Sequence, residues 1–457
     1  MSQEFWSDHS LLLGLQADLT TPTTLAADQM VPVLGDTPKV TLETGTQELD
    51  LMVGQIGVAP ERVVGARGGK ISFSVPLQSF KQGYNPTTEN PGGAPVGTVE
   101  VIPPWMILLA NALGCTVESL AGATLTDKNT NFWRGTFLSN SASVTDGVAS
   151  SADATHLTLD SGGGAGHKAG QLVAAQQLAG GAPFMGFIKQ RVIDVLTLFD
   201  ATRNPTMDAA SDVLGTTTAW LSNDQPVPLT AYWTGPNTAL CYVFTGLICE
   251  GGKLTLEAGQ IPTIEFNYKF YDYQIDKTKG GLVQPDAFNR TPQLIGNKSG
   301  ALMLGNAVKH GVEQLVVEWT TKIRETKSHY AAQGVHDVAI VQRRVKASFS
   351  LPHDVADLVY NNALDITGNT GSHYLQRSLE VGAALPLGVY VGAGYGKCFA
   401  FLMPGARVVA APTAGDREGA VAYTVQMEAG PYAADATSGS ETSNESPINS
   451  VVRVALA

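Results

Sequence analysis

The sequence predicts a mainly β fold with two β-sandwich or barrel modules, each with one short helix, and an inserted small β-domain. Three observations predict this fold. Polar and apolar residues alternate along several segments, helical signals are few, and one strand-like block occurs twice. Lys70-Ile-Ser-Phe-Ser-Val-Pro76 returns as Lys346-Ala-Ser-Phe-Ser-Leu-Pro352, with five of the seven residues identical. This repetition favours an internal duplication.

The alternating segments predict strands that bury one face and leave the other in water or lining a cavity. The clearest are residues 70–75, 264–270 and 421–427, and a further strand is expected at 40–53. In the middle of the chain, short strands are expected at 155–159 and 170–173 and within 187–199, separated by Gly and Asp.

Helical signals are confined to a few places. Pro103 and Pro104 precede an apolar segment at 105–113 that Gly114 closes, so the sequence has a proline start and a glycine stop. A second helix is predicted at 352–363, which begins with Pro352 and directly follows the repeated block. Residues 170–178 are a weaker helical candidate, for which a strand is an equal alternative.

A second match supports the duplication, because Cys241-Tyr-Val-Phe244 is answered by Cys398-Phe-Ala-Phe401 in the same order along the chain. The first copy is longer, which indicates an insertion within it. The predicted organisation is an N-terminal arm at 1–37, a first module at 38–142 and 229–275, an inserted small β-domain at 143–228, a linker at 276–300, a second module at 301–432 and a C-terminal tail at 433–457.

Charge and cysteine content narrow the class of protein. Only 15% of residues are charged, against about 25% in an ordinary soluble domain. Much of the surface is therefore expected to be buried against other copies of the chain, and a glycine-rich secreted β protein is the rival interpretation. The net charge of −12 disfavours a protein that grips phosphate backbones. Four cysteines without a CxxC pair indicate reduced thiols rather than a zinc site.

No membrane segment or export signal is predicted. Residues 1–38 contain no Lys or Arg, although a secretory signal needs a positively charged start. The longest apolar run, residues 105–115, is about half as long as a membrane crossing requires. We therefore expect a soluble, non-exported protein.

No catalytic motif is found, so the sequence predicts no enzyme, no cofactor and no metal site. The glycine-rich stretches 162–168 and 392–398 fail the spacing of a phosphate loop. The histidines are isolated, and carboxylate pairs such as Glu43 and Glu48 are scattered. A glycosidase remains an alternative that spacing along the chain does not decide.

The order of these features resembles the major tail tube proteins of long, non-contractile-tailed bacteriophages (siphophages). The resemblance rests on a Thr-rich opening at 11–24, the strands at 40–53 and 70–75, a single helix at 105–113, and a closing hairpin from Cys241 through residues 252–257 to 262–273. The segments 158–162 and 170–173 resemble a small β-domain that some tube proteins carry as an insertion. The resemblance covers most of residues 11–432 and depends on order rather than on any one motif.

The resemblance implies a structural virion protein of the phage tail, assembled in the host cytoplasm. It implies homotrimeric rings with pseudo-sixfold symmetry, because three chains with two modules each supply six modules. Stacked rings would form a viral tail tube, the conduit for DNA ejection in viral genome delivery. The implied partners are further copies of the chain, the tape-measure, tail-terminator and tail-tip proteins, and double-stranded DNA that passes without specific binding. No membrane partner is implied.

A tube filled with water and DNA needs a polar and, for easy passage of phosphates, acidic lining. Alternation assigns the candidate lumen-facing residues on the predicted strands. They are Ser72, Ser74, Thr255, Glu257, Glu265, Asn267, Ser348, Ser350, Thr424, Gln426 and Glu428. Lys70, Lys269 and Lys346 lie on the same strands and would need charged partners or exposure.

Two other classes remain open at this stage. One is a different virion component, such as a capsid decoration protein. The other is a β-rich carbohydrate-binding protein or hydrolase. The duplicated sheet with closing hairpins favours the tube, since a decoration protein needs no duplicated sheet.

Overall fold

A computed structural model of the protein describes the greater part of the chain. The residues described are 10–25, 30–35, 38–49, 61–78, 104–114, 148–152, 156–162, 164, 170–175, 184–201, 211–214, 217–221, 227–234, 241–276, 278, 301–304, 307–309, 312, 314–331, 334–352, 378–379, 382–392, 398–411, 413–417, 420–432 and 451–456.

The regular elements in this part of the chain are almost all strands. In chain order they are β1 Ser10–Leu15, β2 Met30–Val31, β3 Lys39–Leu49, β4 Glu61–Pro76, α1 Pro104–Leu113, β5 Val148–Ala152, β6 His156–Leu159, β7 Leu172–Ala175, β8 Phe184–Val192, β9 Val195–Ala201, β10 Ser211–Leu214, β11 Thr217–Trp220, β12 Leu229–Thr234, β13 Cys241–Glu257, β14 Thr263–Phe270, β15 Asp272–Ile275, β16 Ala301–Leu304, β17 Ala307–Lys309, β18 Gln314–Lys327, β19 Val335–Pro352, β20 Leu387–Val391, β21 Phe399–Met403, β22 Ala406–Val408, β23 Thr413–Arg417, β24 Ala420–Ala429 and β25 Arg453–Leu456. The prediction of a mainly β fold is confirmed.

The helix α1 has the limits that its proline and glycine signals predict. It begins at Pro104 and ends at Leu113, and Gly114 follows with φ 75°, a left-handed conformation that glycine adopts without a steric penalty. Trp105 is buried and donates a hydrogen bond of 2.8 Å from Nε1 to the carbonyl of Gln78. The weaker helical candidate at 170–178 contains the strand β7 instead. The second predicted helix, 352–363, lies outside the described residues except for Pro352.

A long antiparallel sheet, here called the central sheet, runs through the molecule. Its strand order is β3-β4-β14-β13-β18-β19-β24, and β22 and β23 both pair with the far edge of β24. The order joins residues that are far apart in sequence, since the contact between β13 and β18 connects the first half of the chain to the second.

Two smaller sheets cover one face of the central sheet. The first outer sheet has the order β2-β1-β12-β13-β15, and the second has the order β17-β16-β20-β21-β25-β11. The strand β13 belongs to the first outer sheet at residues 241–247 and to the central sheet at 248–257. Sharing this long strand makes the central and first outer sheets continuous.

The two halves of the chain connect their strands in the same order. The strands of the first half are β1, β2, β3, β4, β12, β13, β14 and β15. The strands in the corresponding positions of the second half are, in the same order, β16, β17, β18, β19, β20, β21 with β22, β24 and β25. The repeated blocks fall at matching positions, because Ser72 lies opposite Asn267 in β14 and Ser348 lies opposite Gln426 in β24.

The main hydrophobic core lies between the central sheet and the outer sheets. The central sheet contributes alternate residues such as Phe73, Phe266 and Phe349, all at most 1% exposed. Trp233 of the first outer sheet and Phe401 of the second meet them from the other side. Each sheet residue that points inward alternates with one that points outward, as the period of a strand requires.

Strands β5 to β10 form a closed six-stranded barrel with the order β10-β5-β6-β9-β8-β7. It lies in the chain between α1 and β12. Leu172 and Phe187 of the barrel pack in one buried cluster with Tyr390 and Leu402, on the side of the second outer sheet that faces away from the main core. β11, which the sequence analysis places in the insertion, pairs with β25 of the second outer sheet.

The two ends of the described chain are built into the outer sheets. Residues 10–15 and 30–31, which the sequence analysis places in an arm, are strands, and the side chains of Leu11 and Leu13 are fully buried. Residues 453–456, from the expected tail, form β25 between β21 and β11. An apolar segment gains more from packing in a core than from contact with water, which explains both placements. The expected linker and most of the tail lie outside the described residues.

Among the residues described, no helix is both long and apolar enough to cross a membrane.

Candidate functional site

All eleven candidate residues lie on the central sheet, on the face turned away from the main core. They alternate with the buried residues of their strands and are exposed or half-buried. Ser72 and Ser74 are on β4, Glu265 and Asn267 on β14, Thr255 and Glu257 on β13, Ser348 and Ser350 on β19, and Thr424, Gln426 and Glu428 on β24. We call this surface the polar face.

The strand register brings the candidates together in pairs. Ser74 lies directly opposite Glu265, and Ser350 directly opposite Thr424. The strand β18, which lies between β13 and β19, was missed by the sequence analysis. Its polar-face residues include Glu318 and Thr320, both exposed. The alternation of β18 around buried Val317 and Trp319 was the signal that could have found it.

One row across the polar face alternates in charge from strand to strand. Its residues, each directly opposite the next, are Ser74, Glu265, Lys253, Glu318, Lys346, Glu428 and Arg407. Opposite charges at facing positions stabilise a strand pair by about 0.2–1 kcal/mol. The row has three acidic and three basic residues, so each charge has a neighbour of opposite sign.

Two lysines of the polar face, Lys70 and Lys346, have acidic neighbours. Lys70 Nζ is 2.8 Å from Oε2 of Glu250, and this hydrogen bond and charge raise the pKa of Lys70. Lys346 is exposed and lies between Glu318 and Glu428. The expectation of an acidic face is therefore wrong for the described part of the sheet. Strand register places a base beside most of the acids, and register cannot be read from a single strand.

A cluster of three side chains connects β14 to the hairpin of β18 and β19. Lys269 Nζ is 2.5 Å from Oε1 of Glu325, and the hydroxyl of Tyr271 donates to the same oxygen at 2.9 Å. Burial opposes ionisation of Glu325, but the hydrogen bonds from Lys269 and Tyr271 and the nearby positive charges outweigh it and lower its pKa. Burial and the Glu325 charge raise the pKa of Tyr271.

The junction of β13 and β18, where the two halves of the chain meet, is tightly packed. Gly252 lies directly opposite Trp319, whose ring also makes an edge contact with Phe266 at 5.8 Å between centroids. Cys249 is buried beside this junction, and burial raises the pKa of its thiol to about 12. The side chains at this junction are packed rather than reactive.

Both edges of the central sheet are open in the described part of the chain. There, β3 pairs only with β4, and β22 and β23 pair only with β24. Leu42 on β3 is 44% exposed, although it is a large apolar residue. An open edge with exposed apolar residues invites pairing with another chain.

The chemistry that the polar face offers is hydrogen bonding and paired charge. Among the residues that the structure describes, no group of three or more His, Cys, Asp or Glu side chains could hold a metal ion. Comparison with protein-family models found no match, and comparison with curated proteins found no relative.

Proposed function

We propose that this chain is a structural virion protein that polymerises as stacked rings to form a phage tail tube, the conduit for double-stranded DNA. One observation carries the proposal. A single sheet spans both halves of the chain, presents eleven expected polar residues on one face, and has two edges that are open in the described part of the chain. A sheet of this kind is protected from aggregation when other copies pair with its edges.

The number of strands in three copies of the chain supports closure of the central sheets into one barrel. Within the residues that the structure describes, the central sheet is eight strand positions wide, counting β22 and β23 as one, so three copies supply twenty-four. With strands about 4.8 Å apart and tilted about 40°, a closed barrel of that size has a backbone diameter of about 48 Å. This leaves a lumen wide enough for a double helix after the side chains are added. Each chain supplies one row of four strands from each half, so three chains give six rows and a ring with pseudo-sixfold symmetry.

The charge pattern of the polar face suits passage rather than binding. A Lys or Arg that contacts phosphate releases counterions and holds DNA in a salt-dependent way. On the polar face Lys70 and Lys269 are each held by a glutamate, and Lys253 and Lys346 lie opposite glutamates. The charges of these four lysines would therefore be compensated as DNA moves through the lumen.

The other parts of the chain fit the outside of a tube. The barrel of β5 to β10 packs on the side of the second outer sheet away from the core, which would place it on the outer surface. Rings stack by contacts that do not close on themselves and so grow a filament. Further partners would be the tape-measure, tail-terminator and tail-tip proteins, with assembly in the host cytoplasm and a final location in the virion tail.

Electron microscopy of the purified protein, with the mass of isolated rings from native mass spectrometry, tests the proposal. The expected result is stacked rings of three chains around an open hole. Rings of six chains would contradict the duplicated-module arrangement while leaving the tube. A chain that stays monomeric even when tail-tip initiator or seed tubes are added would contradict the tube itself.

A further inference from the structure

We propose that β3 of one copy pairs with β23 of a second copy in the register that β18 and β13 use within one chain, so that Thr41 lies opposite Thr413. This inference rests on the proposed ring and specifies how its copies join. The occupant of the open edge is therefore a second copy of this chain. The internal junction of β13 with β18 is the template for the junction between copies.

The template is the antiparallel pairing of β13 with β18. In it Lys253 lies directly opposite Glu318, and Leu254 directly opposite Val317. Here β13, which ends the row of central-sheet strands from the first half of the chain, lies beside β18, which begins the row from the second half. The two edges of the sheet that are open in the described part of the chain have the corresponding strands. The strand β3 begins the row from the first half, as β18 does for the second half, and β23 ends the row from the second half, as β13 does for the first.

The position of β3 follows from its partner β4. Thr41 lies opposite Lys70, and Glu318 of the template lies opposite Lys346. Lys70 and Lys346 are the first residues of the repeated block. Thr41 therefore takes the place of Glu318.

The position of β23 follows in the same way from β24. Thr413 lies opposite Thr424, and Lys253 of the template lies opposite Glu265. Thr424 and Glu265 correspond, because they face Ser350 and Ser74 of the repeated block. Thr413 therefore takes the place of Lys253, which in the template faces Glu318.

The exposed residues of β3 agree with this register. Leu42 takes the place of Trp319 and Val40 that of Val317, and in the template Trp319 and Val317 are only 4% and 2% exposed. Leu42 is 44% exposed and Val40 is half-buried against the edge of the core. Pairing with a second copy would cover both apolar side chains, as the template does.

Pairing within one chain is ruled out by distance. The strands β3 and β23 are at opposite ends of the central sheet, seven strand spacings apart, which is about 34 Å along the sheet. A disulfide needs Cα atoms less than about 7 Å apart. A bond between positions 41 and 413 can therefore form only between copies.

Disulfide trapping tests the register. The variant with Thr41→Cys and Thr413→Cys is assembled, oxidised mildly and analysed on non-reducing gels, with the linked peptides identified by mass spectrometry. We expect a covalently closed trimer that reducing agent returns to single chains. Lys253→Cys with Glu318→Cys is the positive control and should give a bond within each chain. The wild-type chain, oxidised in parallel, accounts for its own four cysteines.

The matched negative control is Leu42→Cys with Thr413→Cys. It shifts the register by one residue and places the two side chains on opposite faces of the sheet, so we expect no bond. Linkage in this control, or none between positions 41 and 413 in intact rings, would overturn the register while leaving the tube proposal standing. If neither the variants nor the wild-type chain form rings, the proposed function fails and the register fails with it.

Discussion

Gly252 lies directly across the sheet from Trp319, and a Cβ atom at residue 252 would come within 2.2 Å of Cζ2 of that ring. The same Cβ would lie 2.3 Å from the backbone oxygen of Glu265. The indole covers the glycine, as aromatic residues do for glycines in sheets. The junction between the two halves of the chain thus depends on a position without a side chain.

Gly252→Ala is therefore expected to lower the free energy of unfolding by about 1–3 kcal/mol, since overpacking of a filled site costs that much. Denaturant unfolding followed by circular dichroism measures the change. Gly35→Ala is the matched control, because no heavy atom lies within 4 Å of the Cβ it would add. Equal stability of the two variants would show that Trp319 moves aside without cost.

Gln16 is fully buried and holds the segment after β1 against the first outer sheet. Its Oε1 accepts hydrogen bonds from the Thr230 hydroxyl at 2.8 Å and the Gly246 amide at 3.0 Å, and its Nε2 donates to the carbonyl of Asp18 at 2.5 Å. Gln16→Leu would leave the buried Gly246 amide without this acceptor and the buried Thr230 hydroxyl without the acceptor of its proton. We expect a loss of about 2–4 kcal/mol in unfolding free energy.

Denaturant unfolding checks this expectation, and Gln342→Leu, an exposed glutamine on β19, is the control with little expected effect. Limited proteolysis adds a local readout, because residues 17–25 should become accessible in the Gln16 variant. A Gln16 variant as stable as the control would show that the polar network contributes nothing to the fold.

The Lys269–Glu325 pair predicts a pH dependence. The pKa of Glu325 is lowered in the folded state, so its contribution is fully present above its ordinary value of about 4.5 and is lost as the pH falls through the folded value. Both side chains are half-buried. Glu325→Gln should cost about 1 kcal/mol at pH 7 and less in acid.

Thermal unfolding between pH 7 and pH 3 compares the wild type with Glu325→Gln. Their stabilities should converge as the pH falls. The exposed Glu318→Gln serves as the control and should follow the wild type more closely. Parallel curves for wild type and Glu325→Gln at every pH would contradict a lowered pKa at this carboxyl.

Ile193 has φ 54° in the turn between β8 and β9 and is 80% exposed. A β-branched residue is strained in this conformation, whereas Asn adopts it readily. Asp194 holds the turn by accepting from the amides of Gly162 and Gly164 at 3.1 and 3.0 Å. Ile193→Asn is expected to raise the unfolding free energy by about 1 kcal/mol.

The control for this turn is Val192→Asn, at an exposed strand residue without positive φ, which should leave stability unchanged or lower it. Both variants are compared with the wild type by denaturant unfolding. A loss of stability in Ile193→Asn would mean that the isoleucine side chain contributes more than the backbone strain costs.

The buried thiols predict slow alkylation. Cys241, Cys249 and Cys398 are buried, and burial raises the pKa of Cys249 to about 12, so almost none of it is thiolate at pH 8. Iodoacetamide should label these positions only in denaturant, as peptide mass spectrometry can show. In Thr413→Cys the exposed new thiol should react in the folded protein. Rapid labelling of Cys249 in the native state would show that the junction opens.

The sequence by itself determined which side chains face the core on the strands that it predicted, because alternation of polar and apolar residues is a local property of the chain. Phe73 and Phe349 are buried and Ser72 and Ser348 are on the outer face, as the period of two predicts. The helix at α1 was equally local, since its proline and glycine mark its ends. The same pattern assigned all eleven candidate residues to one face, and they lie on the face of the sheet turned away from the core.

Only the tertiary structure decided which strands are neighbours. The junction of Gly252 with Trp319, the placement of Arg407 at the end of the charged row, and the use of residues 10–15 and 453–456 in the outer sheets all depend on register and pairing. These contacts join residues that are between 21 and more than 200 positions apart. A strand carries its facing pattern in its own sequence, but its partner is selected by the packing of the whole sheet, and that information is not local.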